Sequence, residues 1–318
     1  MLNNFVHLRA HSSYSFTSGI MSPKEIILKN KELGNACAAL TDRNSMFGVP
    51  EFVVEGQENG IKPIIGCDFL IKNDITQPDN EVPNNILIIA KNNVGYKALS
   101  SLLTRANVEL PEEIAMGNNS LSKTTIKQSW LLEDEDLLNN CICLSGQIYK
   151  GEISSLLNDA RIAQLENDGA TANLKVEQAK KAVEFYKDAF KDNFYLEVQR
   201  TGYKFEDQNI RSLLQFSAQY KIPTVATHNV EFENRDDFEN YYYKTLFNVD
   251  NGILQLDHKI EENSNQYFKT EAEMRELFKD IPFVIDNAAS ISRKCNVTIE
   301  LNKPHLPQFP TPNNIPIE

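Results

Sequence analysis

Short apolar runs recur along the chain, and each stops at polar or charged residues. The runs are FVHLRAH (5–11), ACAALTDR (36–43), KPIIGCDF (62–69), NILIIAKN (85–92), CICLSGQ (141–147), FYLEVQR (194–200) and PTVATHN (223–229). Several are apolar at successive positions rather than at alternate ones, the pattern of a strand covered on both faces. Helical stretches separate most of them. Ser22, Pro23 and Glu25 supply an N-cap, a first-turn proline and a capping-box acid, and Gly34 closes that helix. Residues 50–59, 94–105 and 207–220 predict further helices. In 174–191, Leu174, Val176, Ala179, Val183, Tyr186 and Phe190 fall near one helical face. The region 106–140 is irregular and reads as an excursion between the fourth and fifth strands. Strands alternating with helices predict a parallel sheet, because parallel neighbours need a crossover. Seven such units without a dinucleotide-binding fingerprint favour an α/β barrel, closed or nearly closed, over an open sheet.

In such barrels the carboxyl ends of the strands line one mouth. Those ends carry Arg9, His11, Asp42, Arg43, Asp68, Gln147, Arg200, His228 and Asn229. A single polar strand end is ordinary where a strand meets solvent, but polar ends on every strand point to a shared pocket. His7 and His11 flank Arg9. Imidazole is a common metal ligand, whereas guanidinium has no lone pair to give. The opening strand therefore combines a metal-site residue type with one hostile to metal. Beyond the last strand, 235–278 reads as helical, then extended, then helical, with a second capping box at Thr270 and Glu273. A helix around 282–294, a short strand VTIEL (297–301) and a proline-rich linker, KPHLPQFPTPNNIP, follow.

The 318 residues suit one large domain or two ordinary ones, and 41% hydrophobic with 24% charged residues allows a packed core. Acids outnumber bases 44 to 32, for a formal charge of -12. Such a surface repels nucleic-acid phosphates on average, so strong nucleic-acid binding is not expected. The five cysteines form no C-x-x-C pair and read as buried reduced thiols. No apolar run reaches membrane-spanning length, and a cytoplasmic protein without membrane contact is expected.

HLRAHSSYSFTSG, AALTDRNSMFG, GIKPIIGCDF, ILIIAKNNVGYKAL, CLSGQIYKGE, FYLEVQRTG and VATHNVEF resemble, in this order, the motifs of one family. It is the N-terminal PHP (polymerase and histidinol phosphatase) domain of bacterial replicative DNA polymerase III alpha subunits. YFKTEAEMRELF, RKCNVTIEL and HLPQFPTP resemble the join between that domain and the polymerase body. The resemblance implies a distorted seven-stranded β/α barrel. Residues 1–278 would form the PHP domain, and 279–318 a helical and extended start of the connection onward.

Active members of the family hold a cluster of metal ions at the strand ends. Carried over one position at a time, the second and third histidines of the usual H-L-H-x-H-S opening are Arg9 and His11. The aspartate of S-x-x-D-G is Ser18, the histidine of T-D-H-G is Arg43, and the acid of G-C-E is kept as Asp68. The histidine opening the fourth strand is Asn85, the cysteine of L-S-G-C is Gln147, and the histidine after E-x-Q-x is Thr201. The final D-V-H becomes Asn229, Val230 and Glu231. Of these positions only His11, Asp68 and Glu231 retain a usable ligand. The resemblance thus implies a degenerate site, with neither metal nor catalytic residue in this chain. Arg9 and Arg43 are expected to point inward and pair with Asp42, Asp68 or Glu231. The domain would be structural and would dock the proofreading exonuclease subunit among other replicase subunits. The magnesium of the family's polymerase chemistry belongs to a later palm domain. A competing reading is an active metal-dependent phosphoesterase or 3′–5′ exonuclease, which needs the lost ligands. A nucleic-acid-binding module, the third reading, lacks a basic stripe interleaved with aromatics.

Overall fold

The strands formed by the apolar runs are buried almost end to end, because helices or other chain segments cover them. The computed structural model describes residues 5–16, 18–75, 83–109, 124–246, 264–301 and 303. Its strands are β1 (Cys37–Leu40), β2 (Lys62–Lys72), β3 (Asn84–Ala90), β4 (Ile126–Lys127), β5 (Cys141–Leu144), β6 (Phe194–Val198) and β7 (Thr224–Ala226). They lie in the order β1-β2-β3-β5-β6-β7, with β4 beside β2. The sheet is curled into a half-barrel, which is the distorted β/α barrel expected from the sequence.

Three elements depart from the sequence reading. The sheet is mixed, since β3 runs antiparallel to both β2 and β5 while the other pairs are parallel. Only residues 73–83 separate β2 from β3. That span suits a direct return and is short for a helical crossover. The reversal brings the first residues of β3, rather than its last, to the carboxyl ends of its neighbours. Second, the run 5–11 forms no ladder. Ala10 bridges Val230 and its carbonyl accepts from Thr41 N, while His11 N donates to Val230 O. Thr41 follows β1 and Val230 lies beyond β7, so this segment stitches together the two edges of the curled sheet. Third, the seventh strand is the two-residue β4, inside the irregular region 106–140. The same region holds the short helices Gln128–Leu132 and Glu135–Asn140.

The principal helices are Pro23–Glu32, Val49–Asn59, Asn93–Val108, Glu152–Leu165, Gly169–Phe190 and Glu206–Tyr220. Glu152–Leu165 was not singled out from sequence, and it pairs with Gly169–Phe190. The capping boxes at Ser22/Glu25 and Thr270/Glu273 both form. The helix Phe283–Lys294 packs beside β7, where Asn287 Nδ2 donates to Thr224 O at 2.8 Å. The expected strand 297–301 forms no ladder; Thr298 N instead donates to Asn93 Oδ1 at 2.8 Å. The proline-rich linker and the middle of 235–278 lie outside the described residues. Among the described residues no helix is long and apolar enough to cross a membrane. All five cysteines are buried and unpaired.

Candidate functional site

The strand ends converge on a buried group of charges. Arg9, on the stitching segment, is fully enclosed. Its Nε and Nη2 donate to the two carboxylate oxygens of Glu197, both at 2.9 Å, in a bidentate pair. Its Nη1 lies 2.6 Å from Asp68 Oδ2. Glu197 sits on β6, and Asp68 on β2. Glu197 also accepts from Thr227 Oγ1 and Gln199 Nε2.

His11 lies between two carboxylates. Its Nδ1 is 2.9 Å from Glu231 Oε1, and its Nε2 is 3.3 Å from Asp68 Oδ2. Arg43 reaches the same pair at longer range, with Nε 3.7 Å from Asp68 Oδ2 and Nη2 3.6 Å from Glu231 Oε1. Its Nη1 donates to Ser18 Oγ at 3.2 Å. Asn85 Nδ2 donates to Asp68 Oδ1 at 3.1 Å. This contact depends on the reversed β3, which delivers Asn85 to the mouth. Asn85 Oδ1 accepts from Gln147 N, Gln147 Nε2 donates to Asn229 Oδ1, and Asn229 Nδ2 donates to Glu231 Oε1. The close approach of Gln147 needs Gly146, whose φ is 92°. A Cβ there would stand 2.1 Å from Asn85 O.

Burial alone would raise the carboxyl pKa values of Asp68 and Glu231. The neighbouring cations outweigh it. Arg9, His11 and Arg43 hold Asp68 well below the usual carboxylate range, and His11 and Arg43 bring Glu231 to about 2. Burial would likewise lower His11 and Arg9, but their carboxylate partners raise both.

Not every position named from sequence joins this cluster. Asp42 pairs with neither arginine. Its carboxylate accepts from Ser12 N, Ser12 Oγ and Ser15 Oγ at 2.6–2.7 Å, and burial raises its pKa in spite of those bonds. The turn at 12–15 places these hydroxyls nearer than either guanidinium. Thr201 turns away, and its N and Oγ1 donate to Glu206. Arg200 pairs with Asp280 and Asp207 outside the mouth. His228 Nε2 meets Asn265 O, and His7 Nε2 meets Lys269 O. Glu197 was missed from sequence. Its signal was an acid inside the apolar run FYLEVQR, where a buried strand demands a cation partner.

Among the described residues, no group of three or more His, Cys, Asp or Glu side chains could hold a metal ion. Against known families, the PHP domain model matches residues 7–201. The chain belongs to the PHP domain family. The chain is 33% identical over 309 residues to DNA polymerase III subunit alpha of Vibrio cholerae serotype O1. The match covers 96% of this chain and 24% of that relative. The Escherichia coli K12 protein of the same name is 31% identical, again over 96% of this chain and 24% of the relative. The chain therefore spans about a quarter of the length of these relatives, and it is homologous to their N-terminal part. Among solved structures, an amidohydrolase from Chromobacterium violaceum matches with a TM-score of 0.39 and 11% identity. That match covers 71% of this chain and 87% of the other.

Proposed function

We propose that this PHP domain serves as a non-catalytic domain of a DNA polymerase III alpha-type replicative subunit in the cytoplasm. The observation that carries the reading is the occupancy of Asp68 and Glu231. Arg9, His11 and Arg43 gather on Asp68 Oδ2, and His11 and Arg43 on Glu231 Oε1, so a metal at either oxygen would have to displace a cation. The residues present do not fit the metal cluster of active family members. Ser18, Asn85, Gln147 and Asn229 fill further ligand positions with neutral side chains bonded to one another or to the ions. The domain's work is then structural support and docking of the proofreading exonuclease subunit within a replicase. The relatives' name supports that setting, and magnesium-dependent DNA synthesis would belong to the part of such subunits that this chain does not span.

Purified protein, assayed with a single-stranded 3′ end and a phosphomonoester in the presence of Mg²⁺, Mn²⁺ or Zn²⁺, should show no turnover and contain no stoichiometric metal. Metal-stimulated hydrolysis that disappears in His11→Ala would overturn the reading. Co-purification with the exonuclease subunit of the same cell tests the docking role.

A further inference from the structure

We propose that a cleft among the outer helices docks a protein partner through a basic segment that also carries an apolar side chain. The cleft, of about 490 Å³, lies between the helix Asn93–Val108 and residues 130–136. Leu102 and Trp130 line it, and both are buried. Arg105 bridges its two sides. The guanidinium carbon stands 4.3 Å from the centre of the Trp130 ring, and Nη1 lies 2.6 Å from Glu133 Oε2. Two further apolar side chains stand open to solvent nearby. Leu132, between Trp130 and Glu133 in the chain, is 50% exposed, and Val108, one turn beyond Arg105, is 77% exposed. The cleft shares no residue with the strand-end cluster, so the proposal does not rest on the non-catalytic reading.

Charge complementarity selects the occupant. Four consecutive acids, 133–136, line the cleft against the one guanidinium of Arg105. Glu133 is taken by Arg105, and Asp134 accepts from Leu137 N at 2.9 Å. Among the described residues, Glu135 and Asp136 pair with no cation; Lys127 Nζ lies instead 5.7 Å from the centre of the Trp130 ring. Their place in the first turn of the helix Glu135–Asn140 suits its dipole, but that gives no reason for Leu132 and Val108 to face water. Arg105 shows what the cleft accepts: a planar cation laid on the indole with its edge on a carboxylate. A Lys or Arg brought by a partner would meet Glu135 and Asp136, and an apolar neighbour on the same segment would cover Leu132. The same acids repel phosphate backbones, so the occupant is a basic polypeptide and not a nucleic acid.

Trp130 is the only tryptophan of the chain, so its fluorescence reports on the cleft directly. The purified protein is titrated with a short synthetic peptide of Lys, Arg and Leu. A saturable change in Trp130 emission is expected, and it should weaken as added salt screens the exposed charges. Glu135→Lys with Asp136→Lys should weaken binding about tenfold or more. Glu135→Gln with Asp136→Asn, which removes the charges without reversing them, should weaken it less. Glu51→Lys with Glu58→Lys, an equal charge change on the helix Val49–Asn59, should leave it unchanged. Replacing the peptide's Leu by Ser, or Leu132→Ser in the protein, should each weaken binding several-fold. A Trp130 response that is absent, that an all-Glu peptide gives equally, or that survives both changes at 135 and 136 would overturn the proposal. So would binding indifferent to both losses of Leu, which would mean bare attraction between charges.

Discussion

Glu197 stands on β6 with no solvent contact, and the planar guanidinium of Arg9 matches it oxygen for oxygen. Removing one partner of a buried pair leaves the other charge desolvated and alone. Arg9→Ala should therefore cost about 3–5 kcal/mol in urea unfolding, against about 0.5 kcal/mol for an ordinary surface change. Arg9→Met combined with Glu197→Gln should cost clearly less than the sum of the two singles, because no orphaned charge remains between them. Additive costs would show that the pair is not coupled. The same cluster sets the response to acid. Glu231 falls to about 2 in the fold, below its unfolded value of about 4.3. Its stabilisation is complete above the unfolded value and is lost as pH drops through the folded one. Urea midpoints followed against pH should hold above about pH 5 and decline between about 4 and 2. In Glu231→Gln that decline should flatten. His11 acts in the opposite sense. Its pKa is raised, so its contribution is complete at low pH and is lost as pH rises through the folded value.

At the level of elements, the reversal of β3 and the helix Phe283–Lys294 decide most. With β3 antiparallel, Asn85 reaches Asp68; a parallel β3 would send that end to the opposite face. The C-terminal helix buries Val284, Ile285, Ala288 and Ile291 completely. Its end is fastened by Lys62 Nζ donating to Ser292 O and Lys294 Nζ donating to Tyr195 OH, at 2.9 and 2.8 Å. Past it, Asn296 N donates to Lys91 O. Burying each of the three large side chains is worth about 1.5–3 kcal/mol, so their loss approaches the whole stability of a domain, about 5–15 kcal/mol. A chain ended after residue 278 should lose cooperative thermal unfolding, as read by circular dichroism, or fail to stay soluble. An unchanged melt would mean that this helix is an attachment and not part of the core.

At the scale of the whole molecule, the charge of -12 opposes contact with polyanions, since phosphate neutralisation supplies most non-specific affinity. Fluorescence anisotropy at about 0.15 M salt should show no submicromolar binding to single- or double-stranded DNA. Tight binding would point to a local basic surface that overrides the mean. The sequence by itself determined the barrel class, because apolar runs and helix caps are local signals repeated along the chain. It also put Arg9, Arg43 and Asp68 at strand ends, because the end of a run can be read from residue order, whereas Glu231 was marked only by the family resemblance. Tertiary structure alone decided which charges meet. Glu197 lies 188 residues from Arg9, and Glu231 lies 220 from His11. No local pattern reports that pairing, or that nearby serine hydroxyls would claim Asp42. Strand direction was beyond the sequence for the same reason. An apolar run looks alike read either way, and the curl of the sheet fixed which end of β3 faces the mouth.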